Sequence, residues 1–348
     1  MSNTKSRKFL SLVLAVLMLA GTIVVPVYAD AETGATGGTG SLTDISEFTT
    51  TPTYKQYRDE HNGAEEIEGV YPIDIEGIVE DESAANLGIS EIADENGVTK
   101  NAVLTDDSGK VTFKVTVDKA GFYGLRLQYL PTRPGDTAEA KGVTGDDLAD
   151  AKDANESTTN VERTLYVNGD VPYSEARNLI MYKRWIDKDD AFTKVKNDEG
   201  KKVTRFKTDQ AGNELRAGKD VSYVWQEYVL ADYNGYYSEP LKIYLEAGEN
   251  TVAFETIRHS AYFAELELFS QESVKTYDEV MKEYSSKGYK NAKNGYIYID
   301  AEMPTAVSSN QIFATSDSVS PATKPQSAEF NYRNIISTAA VGQWLDYE

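Results

Sequence analysis

The sequence contains no cysteine. That excludes disulfides, thiolate metal sites and lipid attachment at a cysteine. A chain of 348 residues must then be held by its apolar core, or by hard cations bound through oxygen. Histidine is nearly as scarce, with His61 and His259 the only two. There is no H-x-x-x-H spacing, no phosphate-cradling P-loop, and no serine or cysteine in a nucleophile motif. Carboxylate pairs for glycoside hydrolysis could be drawn from 56 acidic residues, but no aromatic-flanked acid motif stands out. Positive charge is also short: 35 Lys and Arg against those 56 acids leave a formal charge of -21. Nucleic acid and anionic lipid call for the opposite sign. The chain reads as a non-enzyme with no nucleic-acid partner.

At the N-terminus Lys5, Arg7 and Lys8 precede the apolar run "FLSLVLAVLMLAGTIVVPV", and Val27-Tyr28-Ala29 supplies a cleavage site. Residues 1–29 read as a secretory signal peptide, against the alternative of a retained anchor. The expected location is extracellular and cell-surface associated, with no membrane insertion after signal cleavage. Residues 30–52 are small and polar and read as a flexible linker, because they cannot bury enough apolar surface to offset the entropy of ordering.

Tyrosine is abundant, at 23 residues, and leans the chain towards β structure. "KVTFKVTV" alternates strictly, with Val111, Phe113, Val115 and Val117 on one side, and "FYGLRLQY" alternates through Tyr123, Leu125, Leu127 and Tyr129. "RTLYV" runs into Asn168-Gly169, a hairpin signal. "SYVWQEYVL", "LKIYL", "TVAFETI" and "YFAELELF" supply further strands. Many short strands spaced by turns predict a mainly β fold, an antiparallel β-sandwich over 65–272. Residues 135–160 read as an acidic insertion with at most a helical turn.

Two helices flank this body. Thr53 and Gln56 fit a capping box ahead of a short helix within 53–64, and Thr276 and Glu279 fit another within a helical linker over 273–294. In the second, Tyr277, Val280, Met281 and Tyr284 share one face. Each helix opens Thr-Tyr and leads into a β-like run, "VYPIDIEG" or "GYIYIDAE". This is an internal repeat with a period of about 225 residues. "SGKVTFKV" in the first copy aligns with "VGQWLDYE" in the second. Residues 295–348 are therefore expected to be the truncated start of a second β-sandwich, making the chain a fragment. The alternative is that they fold onto the first domain as an extra layer.

The "IDIEG" opening, the "VTVDKAGFYGLRLQY" strand pair, the "LYVNG" turn and "IYLEAGENTVAFE" resemble the galactose-binding-like jelly roll of carbohydrate-binding modules of families 6 and 35. "TYKQYRDEH", "RTLYVNGDVPYSEARNL", "WQEYVLADYNGYYSEPLKIYLEAGENTV" and "SDSVSPATKP" are similar to the N-terminal region of large Gram-positive extracellular solute-binding proteins of ABC transporters. The resemblance implies a setting in sugar uptake, a carbohydrate partner, and a solute-binding domain downstream of this chain.

Sugar recognition by such sandwiches uses aromatic faces beside groups that bond hydroxyls. The candidates are Trp185, Trp225, Tyr236 and Tyr237. Trp225 lies within a strand run, where the core reading leads. Trp185 stands where a strand meets a charged loop, and an open ring and a core ring are both compatible with that place. Tyr236 and Tyr237 stand in the turn-rich "DYNGYYSEP". The resemblance also implies structural calcium between an opening-strand Glu and a closing-strand Asp. Its candidates here are Glu76, Asp300 and Glu302, although Ala264 stands where the pattern has an acid and Glu265 is one position off. His259 reads as a surface residue at a strand end. The rival function is a structural spacer or protein-interaction sandwich with no sugar site.

Overall fold

The computed structural model describes residues 51–80, 84–188, 190, 192–196, 200, 202–210, 215–270, 275–292, 295–297, 299, 303–316, 333–336 and 342–347. The signal-peptide and linker expectations for residues 1–29 and most of 30–52 lie outside them, as do Asp300 and Glu302. Among the described residues no helix is long and apolar enough to cross a membrane.

Two antiparallel sheets form the body. The first contains β3 (Asn86–Ala93), β4 (Thr99–Thr105), β6 (Gly121–Pro131), β13 (Gln226–Val229) and β16 (Ala261–Phe269) in the order β13-β6-β16-β4-β3. Here β1 (Val70–Pro72) also pairs with β16, and β14 (Lys242–Leu245) also pairs with β6. The second holds β2 (Ile78–Val79), β5 (Lys110–Val117), β15 (Gly248–Arg258), β7 (Val161–Val167) and β8 (Leu179–Met181), in that order. Strand β5 buries the four residues its alternation marks. Their side chains join a core shared by both sheets, in which Phe254 of β15 packs edge-on against Phe263 of β16 with ring centres 5.5 Å apart. The expected antiparallel sandwich is the observed one.

Strand β6 departs from simple alternation: Phe122, Gly124 and Leu130 are buried as well as the alternate set. Both of its faces are covered. One meets the sandwich core; on the other, Leu130 joins Ala102, Leu104, Tyr262 and Ala264 in a separate cluster. Phe122 is covered by helix α1 (Tyr54–Glu60), through the ring of Tyr57 and the guanidinium of Arg58, 4.0 Å above it. Both predicted capping boxes are formed, in α1 and in the linker helix Tyr277–Ser286. In α1 the tyrosines do more than fill space. Tyr54 and Tyr57 accept, at their hydroxyls, the backbone N–H groups of Lys242 and Tyr244 at 3.1 and 2.8 Å. Strand β14 is an edge, and these phenols satisfy donors that would otherwise be an open template for another strand.

The Asn168-Gly169 turn forms with φ of 52° and 94°, and Val167 and Asp170 exchange both backbone bonds. This is the type I′ geometry that Asn-Gly favours. The acidic insertion is more ordered than expected, folding as α2 (Asp136–Ala140) and α3 (Gly145–Lys152). "SYVWQEYVL" is not one strand. It begins just after β12 (Lys219–Val221) ends, and only Gln226–Val229 form a strand, β13; residues 222–225 leave the ladder, and the backbone N–H of Trp225 turns aside to Asp94 Oδ2 at 3.1 Å.

A further sheet has the order β12-β9-β17-β20, with β9 spanning Trp185–Asp187, β17 Ala306–Val307 and β20 Leu345–Asp346, and two strand pairs stand apart, β10 (Phe192–Lys196) with β11 (Lys202–Phe206) and β18 (Phe313–Ser316) with β19 (Arg333–Ile336). Strands β17 and β20 thus extend the sheet formed by β12 and β9. The reason is apolar burial: Val307 and Ile312 are each 1% exposed, packed with Trp185 and Val221.

Candidate functional site

Strands β13 and β14 pair with successive stretches of the same side of β6, at Arg126–Tyr129 and Gly121–Gly124. They amount to one edge strand interrupted by a loop at 231–241. The loop closes on itself at its base. Leu230 donates to the carbonyl of Leu125 at 2.9 Å, Leu241 donates to the carbonyl of Leu230 at 2.8 Å, and both leucines are fully buried. Such a compact excursion can hold a fixed shape without secondary structure of its own.

Asp232 holds that shape. It is buried, and its carboxylate accepts backbone N–H groups from Asn234 at 2.9 Å, Tyr236 at 2.7 Å and Tyr237 at 3.3 Å. Gly235, at φ +72°, supplies the left-handed residue the turn needs. The outcome is two tyrosines with opposite fates. The ring of Tyr237 turns in and packs edge-on against Tyr54 at 5.0 Å. The side chain of Tyr236 is left 83% exposed.

Between this loop and α1 lies a recess of about 310 Å³, lined by Tyr54, Tyr236, Tyr237 and Pro240 and by the charged groups of Arg58, Glu66, Glu239 and Lys242. Glu66 accepts from Arg58 Nη2 at 3.1 Å and from Lys242 Nζ. The Lys242 hydrogen bond, reinforced by Arg58, holds the Glu66 carboxyl below the usual carboxylate range. The recess offers an exposed aromatic face, fixed cationic donors and carboxylate acceptors within one concavity. That combination can stack on the apolar face of a ring and bond its hydroxyls.

The structure therefore brings Tyr236 and Tyr237 together and leaves the tryptophans elsewhere. Trp185 is 4% exposed and is core, so of its two readings the structure removes the open sugar platform. It is the strand partner of both Val221 and Val307, so neighbours on two sides cover its ring. Trp225 is half-buried on the Ala102–Tyr262 cluster, with its indole N–H committed to the carbonyl of Val98 at 3.2 Å. Glu76 is exposed in a turn, its backbone N–H bonded to Asp74 Oδ1 at 2.9 Å. Among the described residues no group of three or more His, Asp or Glu is placed to hold a metal ion. Ala264 is buried, and Glu265, at a bulge with φ +46°, turns out to pair with Lys100 at 2.5 Å.

Sequence reading missed a second cluster, where loops meet at one end of the sandwich. His259 is not a surface residue: its side chain is 11% exposed, at φ +62°, in the turn between β15 and β16. Lys183, fully buried, donates from Nζ to Glu156, to the carbonyl of Ser157 at 2.7 Å and to His259 Nε2 at 2.7 Å. Tyr223 donates its hydroxyl to the other oxygen of Glu156. Burial, with the nearby Lys183 charge, lowers the pKa of His259, and burial lowers that of Lys183. Below them Arg163, also fully buried, donates to the carbonyls of Arg258 and His259 at 3.0 and 2.8 Å and to Thr105 at 2.8 Å. Burial pushes its pKa down to about 9. No local motif joins these residues, which lie in separate segments.

No protein-family model and no curated protein matches the chain. Among solved structures the chain is similar to a family 35 carbohydrate-binding module from Clostridium thermocellum, at 13% identity over 58% of this chain and 99% of that one, with a TM-score of 0.25. It is similar to the family 35 module of Cellvibrio japonicus Abf62, at 11% identity over 59% and 95%, with a TM-score of 0.24. A third is the Podospora anserina GH26-CBM35 β-(1,4)-mannanase, at 10% identity over 62% of this chain and 30% of that one, with a TM-score of 0.26.

Proposed function

We propose that this chain is a non-catalytic carbohydrate-binding region, and that glycan is held in the recess between α1 and the 231–241 loop. The observation that carries the reading is Tyr236, a ring 83% exposed yet fixed at its backbone by Asp232, beside paired charges. A sugar's apolar face would stack on that ring, worth about 0.5–1.5 kcal/mol. Its hydroxyls would exchange water for Arg58, Glu66, Glu239 and Lys242. One ring and one small recess suit a short stretch of soluble glycan bound weakly. Glu66, held ionised between two cations, would serve as an acceptor for a sugar hydroxyl. The setting is extracellular, as an accessory region of an ABC-transporter solute-binding protein; the sequence resemblance to that group supports it.

The test is a glycan-array screen of the secreted chain with and without calcium, since the resemblance implies a structural ion. Calorimetry on the best ligand follows. Tyr236→Ala should lower affinity about two- to twelvefold while leaving the far-ultraviolet spectrum and melting temperature unchanged. A folded wild-type protein silent towards every glycan, or Tyr236→Ala binding as well as wild type, would sink this reading. Silence would leave the spacer role.

A further inference from the structure

The acidic excursion between β6 and β7 returns to the sandwich through residues 153–160, and one side chain holds that return limb. Lys183 Nζ bonds the Glu156 carboxylate and the Ser157 carbonyl, and the Lys183 backbone N–H donates to Asn160 Oδ1 at 3.2 Å. The position of the ammonium depends in turn on His259. Lys183 has only protons to offer, so His259 Nε2 must be the acceptor and its other nitrogen, Nδ1, carries the hydrogen, donated to the carbonyl of Ser260 at 2.8 Å. The arrangement requires a neutral imidazole.

We propose that Lys183, Glu156 and His259 form a pH-operated latch, which holds residues 153–160 against the sandwich while His259 is neutral and frees them when it takes a proton. A proton on Nε2 removes the lone pair that Lys183 uses and sets two cations 2.7 Å apart. The surrounding charges do not rescue it. From β7, the Arg163 guanidinium sits beneath, bonded to the His259 carbonyl. From its own turn, Arg258 faces Glu162 at 3.6 Å. From the excursion comes Glu156, 4.0 Å from Nε2, already shared by Lys183 and Tyr223. Arg133 and Asp107 line the adjoining recess. One carboxylate would have to serve two buried cations with a third behind them.

The sign follows from linkage. Burial and Lys183 lower the pKa of His259 from its ordinary 6.5 in the closed state. Opening restores the ordinary value, so the open state binds more protons, and opening grows as pH falls below about 6.5. The limb forms one wall of a recess of about 450 Å³ that also includes Thr132, Arg133 and His259. Access to that recess becomes a function of external acidity.

The chain has only two histidines, so the titration can be assigned. Amide hydrogen exchange of the full chain, corrected for intrinsic pH dependence, is measured by mass spectrometry from about pH 7.5 to about pH 5. Opening of 153–160 should rise by up to about tenfold per pH unit below about 6.5, with β5, β6 and β16 unchanged. His61→Gln should keep this response and His259→Gln should abolish it. If the Gln variant fails to fold, His259→Asn serves, because Asn tolerates the positive φ. Equal protection of the limb across the range in wild type, or a response that survives removal of His259, overturns the latch.

Discussion

Replacing Trp185 by alanine separates two views of this residue. By sequence it is a candidate sugar platform; by structure it is the largest member of a small core. It lies in β9, an inner strand between β12 and β17, directly paired with Val221 on one side and Val307 on the other, and Ile312 packs against the same cluster. At 4% exposure almost the whole indole is lost from a packed site. Large aromatic-to-alanine changes in cores cost about 3–5 kcal/mol. This cluster sits in a short four-stranded sheet that can partly collapse into the gap, so the low end, about 3 kcal/mol, is expected. In urea that moves the unfolding midpoint by roughly 1 M or more. Because β17 and β20 hang on β9, limited proteolysis at the residues around 303–312 and 342–347 should also rise. The assay is urea titration by circular dichroism, with glycan affinity measured on the same samples below the transition. The reasoning is refuted if stability falls by less than about 1 kcal/mol while affinity is lost, since that is the signature of an exposed contact residue.

Asp232→Ala releases the three N–H groups that shape the 231–241 loop. It should cost about 1–3 kcal/mol and weaken glycan binding more than it lowers the melting temperature warrants, because Tyr236 loses its fixed position; unchanged affinity would show that the loop needs no such anchor. Gly124→Ala sets strand propensity against packing. Propensity alone predicts a gain of about 0.5–1 kcal/mol, but a Cβ there would meet Phe269 at 2.8 Å, at both its carbonyl oxygen and its ring. A loss of about 1–3 kcal/mol in chemical denaturation is expected, and any gain would mean that Phe269 yields easily.

What the sequence determined alone is what depends on neighbours in sequence. The buried set of β5 follows from a period of two, because successive side chains point to opposite faces. Both capping boxes follow from bonds between residues three apart. The Asn168-Gly169 turn follows from the tolerance of that pair for positive φ. Tyr236 and Tyr237 were legible as loop residues, but not their opposite orientations, which depend on Asp232 below and on Tyr54 across the recess. Tertiary structure alone decided the rest. Trp185 is buried by Val307, far along the chain, and no local pattern distinguishes a covered indole from an open one. The hydroxyls of Tyr54 and Tyr57 find their donors on β14, and Lys183 finds His259 and Glu156 on separate loops. Burial of a polar group is tolerable only when its partners arrive with it, and those partners are brought together by the sheet order, which local sequence does not encode.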